Sequence, residues 1–148
     1  MSERGAPPGV EYLDHVADVG MRVRAGSVED LFRRSAVGLF SLMVRIDAIR
    51  NEKRREFVCR AETLVGLFVE WLAALLADKD VGDLVFASFD VEIGEEEAGF
   101  ELRGSAWGEP LDPTRHEPGI EVKGISYLGL SVGREADGDW VAECVLDV

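Results

Sequence analysis

The stretch from Leu64 to Leu76 constrains this chain more than any other. Its large apolar residues, Leu64, Leu67, Phe68, Trp71, Leu72, Leu75 and Leu76, recur at steps of three and four. That period places them on one face of an α-helix, and such a face must be buried against other elements. No apolar run reaches the roughly 18 residues a membrane helix needs, so the cover has to come from the rest of the chain. Trp71 lies within the stripe and reads as core rather than as part of a ligand site.

A second helix is expected after Ser27, whose hydroxyl can cap the first turn, with Asp30 three places on in a capping-box-like position. Val28, Leu31, Phe32, Ser35, Ala36, Leu39, Phe40 and Met43 supply its buried stripe. The other segments alternate with the period of strands. Tyr12 to His15 and Val19 to Ala25 form a pair broken around Ala17-Asp18. Arg55, Phe57 and Cys59 alternate with Glu56, Val58 and Arg60. Val85-Ala87-Phe89-Val91-Ile93 runs to an acidic turn ending at Gly99, and Phe100 to Trp107 returns.

The last hairpin carries a register. If a three- or five-residue loop containing Gly138 joins its strands, Leu130 faces Cys144 and Leu128 faces Leu146. Glu121, Lys123, Tyr127, Glu143 and Asp147 then gather on the opposite face, and a one-residue slip would spoil the arrangement. Two long helices and six or seven strands outside strict βαβ alternation indicate an α+β fold, with the helices packed on a largely antiparallel β-sheet.

At 148 residues the chain is long enough for one core. Residues 10–148 are expected to form a single domain behind a short, disordered lead-in at 1–9. That lead-in lacks the apolar stretch of a secretory signal, which points to the cytoplasm. With 29 acidic against 16 basic residues the net charge is −13. Phosphate binding draws its strength from Lys and Arg, so extensive direct RNA binding is disfavoured; the acidity serves solubility or steers a basic partner. Cys59 and Cys144 belong to no CxxC or Cys/His cluster, and both are expected as buried thiols.

Three polar segments could carry chemistry. In Asp14-His15-Val16-Ala17-Asp18, two acids and an imidazole within five residues could bind a cation or shuttle a proton. The plainer alternative is a polar connection bonded to its own backbone. Trp107-Gly108-Glu109-Pro110, then His116-Glu117-Pro118-Gly119 and Glu121-Val122-Lys123, form a Gly- and Pro-punctuated region of the kind that holds binding sites. His116 there could equally be an exposed loop residue. Val145-Leu146-Asp147-Val148 ends in a carboxylate, and the Val148 α-carboxylate would add a second. Oxygen ligands suit hard cations such as Ca²⁺, Mg²⁺ or Mn²⁺, although a frayed acidic tail has the same sequence. No Walker-type phosphate loop, nucleophile elbow or aromatic RNA-stacking signature is present, and no catalytic constellation is complete.

Taken together, these segments resemble the archease family from Tyr12 to Val148. The matching pieces are Tyr12-Leu13-Asp14-His15-Val16-Ala17-Asp18-Val19-Gly20, the helix start before Leu31-Phe32, Glu70-Trp71-Leu72, Trp107-Gly108-Glu109, Glu121-Val122-Lys123 with Ser126-Tyr127, and Leu146-Asp147-Val148. The resemblance implies an accessory protein rather than an enzyme. Such a protein activates an RtcB-type RNA ligase in tRNA splicing by promoting guanylylation of the ligase and multiple turnover. It also implies a divalent metal site built from Asp18, Asp147 and Val148, with Ca²⁺ expected first and Mg²⁺ or Mn²⁺ as alternatives, and a functional Lys123. Glu109, His116 and Glu121 are the further candidates for partner activation. Two positions depart from the family pattern. Val16 replaces a threonine that could orient a carboxylate, and Leu128 stands where some members have histidine. Two other readings compete: a chaperone or specificity modulator of another tRNA-modifying enzyme such as a methyltransferase, and a stand-alone metal-dependent phosphoesterase.

Overall fold

A computed structural model describes residues 5–15 and 18–148. The side chains of Asp14 and His15, and the whole of Val16, lie outside the described residues, as do positions 1–4 of the expected lead-in. In chain order the elements are β1 (Val10–His15), β2 (Asp18–Ala25), α1 (Val28–Met43), a 3₁₀ turn (Ile46–Ala48), β3 (Lys53–Ala61), α2 (Leu64–Gly82), β4 (Leu84–Glu96), β5 (Gly99–Pro110), the single-turn α3 (Pro113–His116), β6 (Gly124–Arg134) and β7 (Trp140–Asp147). No helix among the described residues is long and apolar enough to cross a membrane.

Both long helices start where their caps dictate. The Asp30 N–H donates to Ser27 Oγ at 3.1 Å, and the Gly66 N–H donates to Thr63 Oγ1 at 3.0 Å. Each bond satisfies an amide that the first turn leaves without a partner. The Asp30 carboxylate turns outward to bond Arg33 and Arg34, each at 2.7 Å. The stripes read from sequence are the buried faces, and Trp71 is fully buried. Its indole N–H donates to the Phe32 carbonyl at 3.0 Å, tying α2 to α1. Phe32 meets Phe68 edge-to-face, and Phe57 meets Trp71 in the same way, the geometry aromatic quadrupoles favour.

The strands divide between two antiparallel sheets, ordered β1-β2-β7-β6 and β3-β5-β4. Each long helix touches both: α1 packs on β2 and β4, α2 on β3 and β6. Met21 and Val23 of β2 and Cys144 and Leu146 of β7 are buried in the core, Met21 against Gly38 of α1. Both cysteines are free and buried as expected, and burial pushes the Cys59 thiol up to about 11 and that of Cys144 up to about 12.

Two irregularities correct the alternation read from sequence. In β4, Phe86 pairs with Gly108 but Ser88 pairs with Trp107, so Ala87 is an extra residue. The bulge puts Phe86 on the same face as Phe89, where the two rings meet, whereas strict alternation would have put Ala87 and Val85 there. It also drives the Val85 carbonyl against Gly108, where any Cβ would collide with it.

The second irregularity lies in the last hairpin. A five-residue loop containing Gly138 joins the strands, and near it the expected register holds, with Val132 opposite Ala142 and Ser131 opposite Glu143. Beyond Ser131 three additional residues are taken up before Ser126 pairs with Val145 and Ile125 with Leu146. Leu128 therefore does not face Leu146. Three is an odd number, so the insertion also inverts the parity of everything preceding it. Gly124 stands opposite Asp147, so the parity that put Lys123 on the face of Asp147 is lost, and Lys123 lies just outside the strand.

Candidate functional site

The β1-β2-β7-β6 sheet brings four positions into one row. His15 pairs with Asp18, Asp18 with Asp147, and Asp147 with Gly124. Directly opposed residues hold their Cβ atoms about 4.5–5.5 Å apart, and like charges there repel. Asp18 is half-buried and Asp147 exposed. Among the described residues neither carboxylate forms an ion pair or a side-chain hydrogen bond. The Asp147 Oδ2 lies 3.8 Å from where a Cβ on Gly124 would sit, so the carboxylate leans over a residue that leaves the space open.

Lys123 joins this row through its backbone. Its N–H donates to the Asp147 carbonyl at 2.7 Å, and its side chain is exposed. The buried Val122 fixes the segment from the core side, while Glu121 faces solvent. The expectation that Lys123 and Asp147 share a face by strand parity is thus replaced by adjacency around a strand end. Val148 follows Asp147 and is 38% exposed. Among the described residues no group of three or more Asp, Glu, His or Cys side chains is gathered as a metal site.

Glu109 and His116 come together elsewhere, at the end of β5 and in α3. His116 is not an exposed loop residue; both side chains are buried. Arg115 grips Glu109 with two parallel bonds, Nη1 to Oε2 at 2.6 Å and Nη2 to Oε1 at 2.7 Å. The Arg50 N–H adds a third bond, to Oε2 at 2.7 Å. The Asp112 N–H donates to His116 Nδ1 at 2.8 Å, so this nitrogen is an acceptor. The ring proton then resides on Nε2 and is donated to Glu109 Oε2 at 2.9 Å. The Arg115 guanidinium, the Arg50 amide and His116 hold the Glu109 carboxyl well below the usual carboxylate range against the opposing effect of burial.

This network locks the connection between β5 and β6. Arg115 Nη1 also donates to the Ala48 carbonyl, and the His116 carbonyl accepts from Arg45 N–H. Gly119 and Ile120 donate to the Met43 and Leu42 carbonyls, which the end of α1 leaves without helical partners. Arg115 is the residue the sequence reading missed. The usable signal is local: Pro110 and the Asp112-Pro113 helix start turn the chain back, bringing a cation six places on against Glu109.

A surface depression of about 540 Å³ on the outer face of the β3-β5-β4 sheet is lined by Arg54, Glu56, Asp90, Glu92, Arg103 and Ser105, among others. None of the candidate residues borders it. It carries both signs of charge and no ligand-like grouping.

A profile described as the Archease protein family matches residues 10–148. The chain is 37% identical over 138 residues to the protein archease of Pyrococcus abyssi, covering 93% of this chain and 97% of the relative. It is 38% identical over 138 residues to the protein archease of Methanopyrus kandleri, covering 93% and 98%. The solution structure of Methanobacterium thermoautotrophicum protein 1598 superposes with a TM-score of 0.83 at 29% identity, across 95% of this chain and 99% of that one.

Proposed function

The chain belongs to the archease family, and from that footing we propose that it is the protein cofactor of an RNA ligase in tRNA splicing, an RtcB-type ligase in particular. It acts in the cytoplasm and completes no reaction of its own. Its role is to promote guanylylation of the ligase's active-site histidine and so to sustain repeated turnover.

The observation that carries this reading is the opposed pair Asp18 and Asp147 at the end of the sheet. Two like charges in adjacent register oppose folding unless something gained elsewhere requires them. Oxygen donors of this kind fit a hard divalent cation, Ca²⁺ first and Mg²⁺ or Mn²⁺ next. Asp18 and Asp147, with Val148 beside them, would hold it. Bound there, the ion would supply the positive charge that relieves their repulsion. Lys123, anchored by its backbone to Asp147, has an exposed side chain whose ammonium is available to the partner. Glu121 offers an exposed carboxylate to the partner, whereas Glu109 and His116 serve activation indirectly by fixing the segment that leads to Lys123.

RNA ligation by the cognate ligase, followed under single- and multiple-turnover conditions, tests the reading. About one ligation per ligase is expected without this protein and many with it. Equal turnover in both reactions overturns the proposal.

A further inference from the structure

The three-residue insertion in β6 puts two large side chains into solvent. Tyr127 is 72% exposed and Leu128 79% exposed. Without the insertion, the register set at the Gly138 loop would have placed Leu128 opposite the fully buried Leu146. The departure is built into the chain rather than frayed. Ser126 Oγ accepts the Leu128 N–H at 3.1 Å, and Gly129 turns the backbone at φ +73°, a conformation that favours glycine. Residues 127–129 are exposed and form a short protrusion on the edge strand of the sheet, while Leu130 returns to pack against the core.

Its position relates it to the acidic row. A Cβ on Gly129 would sit 4.0 Å from Val145 Cγ2. Val145 and Asp147 are two apart on β7 and share a face, a step of roughly 7 Å along a strand. We propose that the Tyr127–Leu128 protrusion is the anchor by which this chain docks on the protein that receives its acidic tip, entering an apolar pocket bordered by cationic side chains. The inference rests on the ligase-cofactor reading above and specifies the contact that reading requires.

Charge selects the occupant. A chain of net charge −13, with Asp18 and Asp147 uncompensated among the described residues beside the protrusion, complements a basic surface. A second copy would set two strongly acidic bodies against each other. Nucleic acid meets the same repulsion. The bulge blunts the edge of β6 against simple strand addition, so the recognition falls to side chains.

The test titrates wild-type and Tyr127→Ser/Leu128→Ser protein into a fixed amount of cognate RNA ligase. Both side chains are exposed, so thermal melting should be unchanged. The concentration giving half-maximal activation should rise at least tenfold, with the plateau intact, and Tyr127→Phe/Leu128→Met should restore it. Asp147→Asn should act chiefly on the plateau, lowering it with at most a small shift in the half-saturation point, since it removes one charge from a net −13. An unmoved half-saturation point in the double variant overturns the anchor. So does a wild-type dimer in sedimentation that the double substitution dissolves, or the absence of any complex between wild-type protein and ligase. If wild-type protein gives no activation at any concentration, the cofactor reading fails instead. Direct binding of the ligase to immobilised wild-type and variant protein then still decides the anchor.

Discussion

Glu109 and Asp147 stand near the ends of β5 and β7, and the chain treats these two carboxylates in opposite ways. Glu109 is buried, and its two oxygens accept from Arg115, the Arg50 amide and His116. Asp147 is exposed and faces another aspartate across the sheet. Removing a buried charge that is fully bonded strands its partners, whereas removing an exposed, repelled charge relieves the fold. A carboxylate satisfied inside the chain therefore belongs to the architecture. One left to repel its neighbour is available to something that arrives from outside.

The sharpest way to break this comparison is to neutralise the tip. Asp18→Asn or Asp147→Asn should reduce ligase activation by roughly 100-fold or more, since even outer partners of metal sites are worth 10–100-fold. Stability in urea should hold or rise slightly; substantial unfolding would make the tip structural after all.

Glu109→Gln should show the converse pattern. It leaves an amide donor facing Arg115, His116 and the Arg50 N–H, and should lower unfolding free energy by about 2–3 kcal/mol. Activation should fall only as far as the folded fraction falls. A full loss of activation in a variant that remains folded would move Glu109 into the functional set.

A divalent cation offers a third discrimination. At ten times its dissociation constant, an ion that binds only the folded state stabilises it by about 1.4 kcal/mol. Ca²⁺ should therefore raise the melting temperature of the wild type and of Glu109→Gln, but not that of Asp147→Asn. Equal shifts in all three would place the ion elsewhere.

The smallest effect is in pH. The folded-state pKa of Glu109 is depressed from an ordinary 4.5, so its contribution to stability is fully present above that value. The gap between wild type and Glu109→Gln should stay constant from neutral pH down to about 4.5. It should then narrow as the pH falls toward the depressed folded value. A gap that widens on acidification would contradict the assignment of charge to this residue.

The same contrast explains what could be read from the sequence. Helices α1 and α2 were legible because capping and periodicity are local, and Ser27 and the Leu64–Leu76 stripe carry both. The acidic segments at Asp18 and Asp147 were legible as residues, although only their family resemblance joined them in one site. The register past Ser131 was not legible, because Leu128, Leu130 and Val132 keep one parity through the turn at Gly129, and Ile125 alone marks the change. The burial of His116 was hidden for a related reason. Its environment depends on Glu109 and Asp112, brought round by a turn whose closure no periodicity reports.

The strand order has a consequence in time. β7 lies inside its sheet, between β2 and β6, although it is the last strand in the sequence. Its pairing with β2 joins residues as far apart as Asp18 and Asp147, separated by 129 positions. Contacts of such separation close late, after local hairpins and helices have formed. Asp18 and Asp147 meet only through that pairing, so a chain that has collapsed around α1 and α2 without seating β7 has no tip to offer. Competence to engage a partner would thus appear as the final event of folding, and an immature molecule would go unrecognised without any separate proofreading.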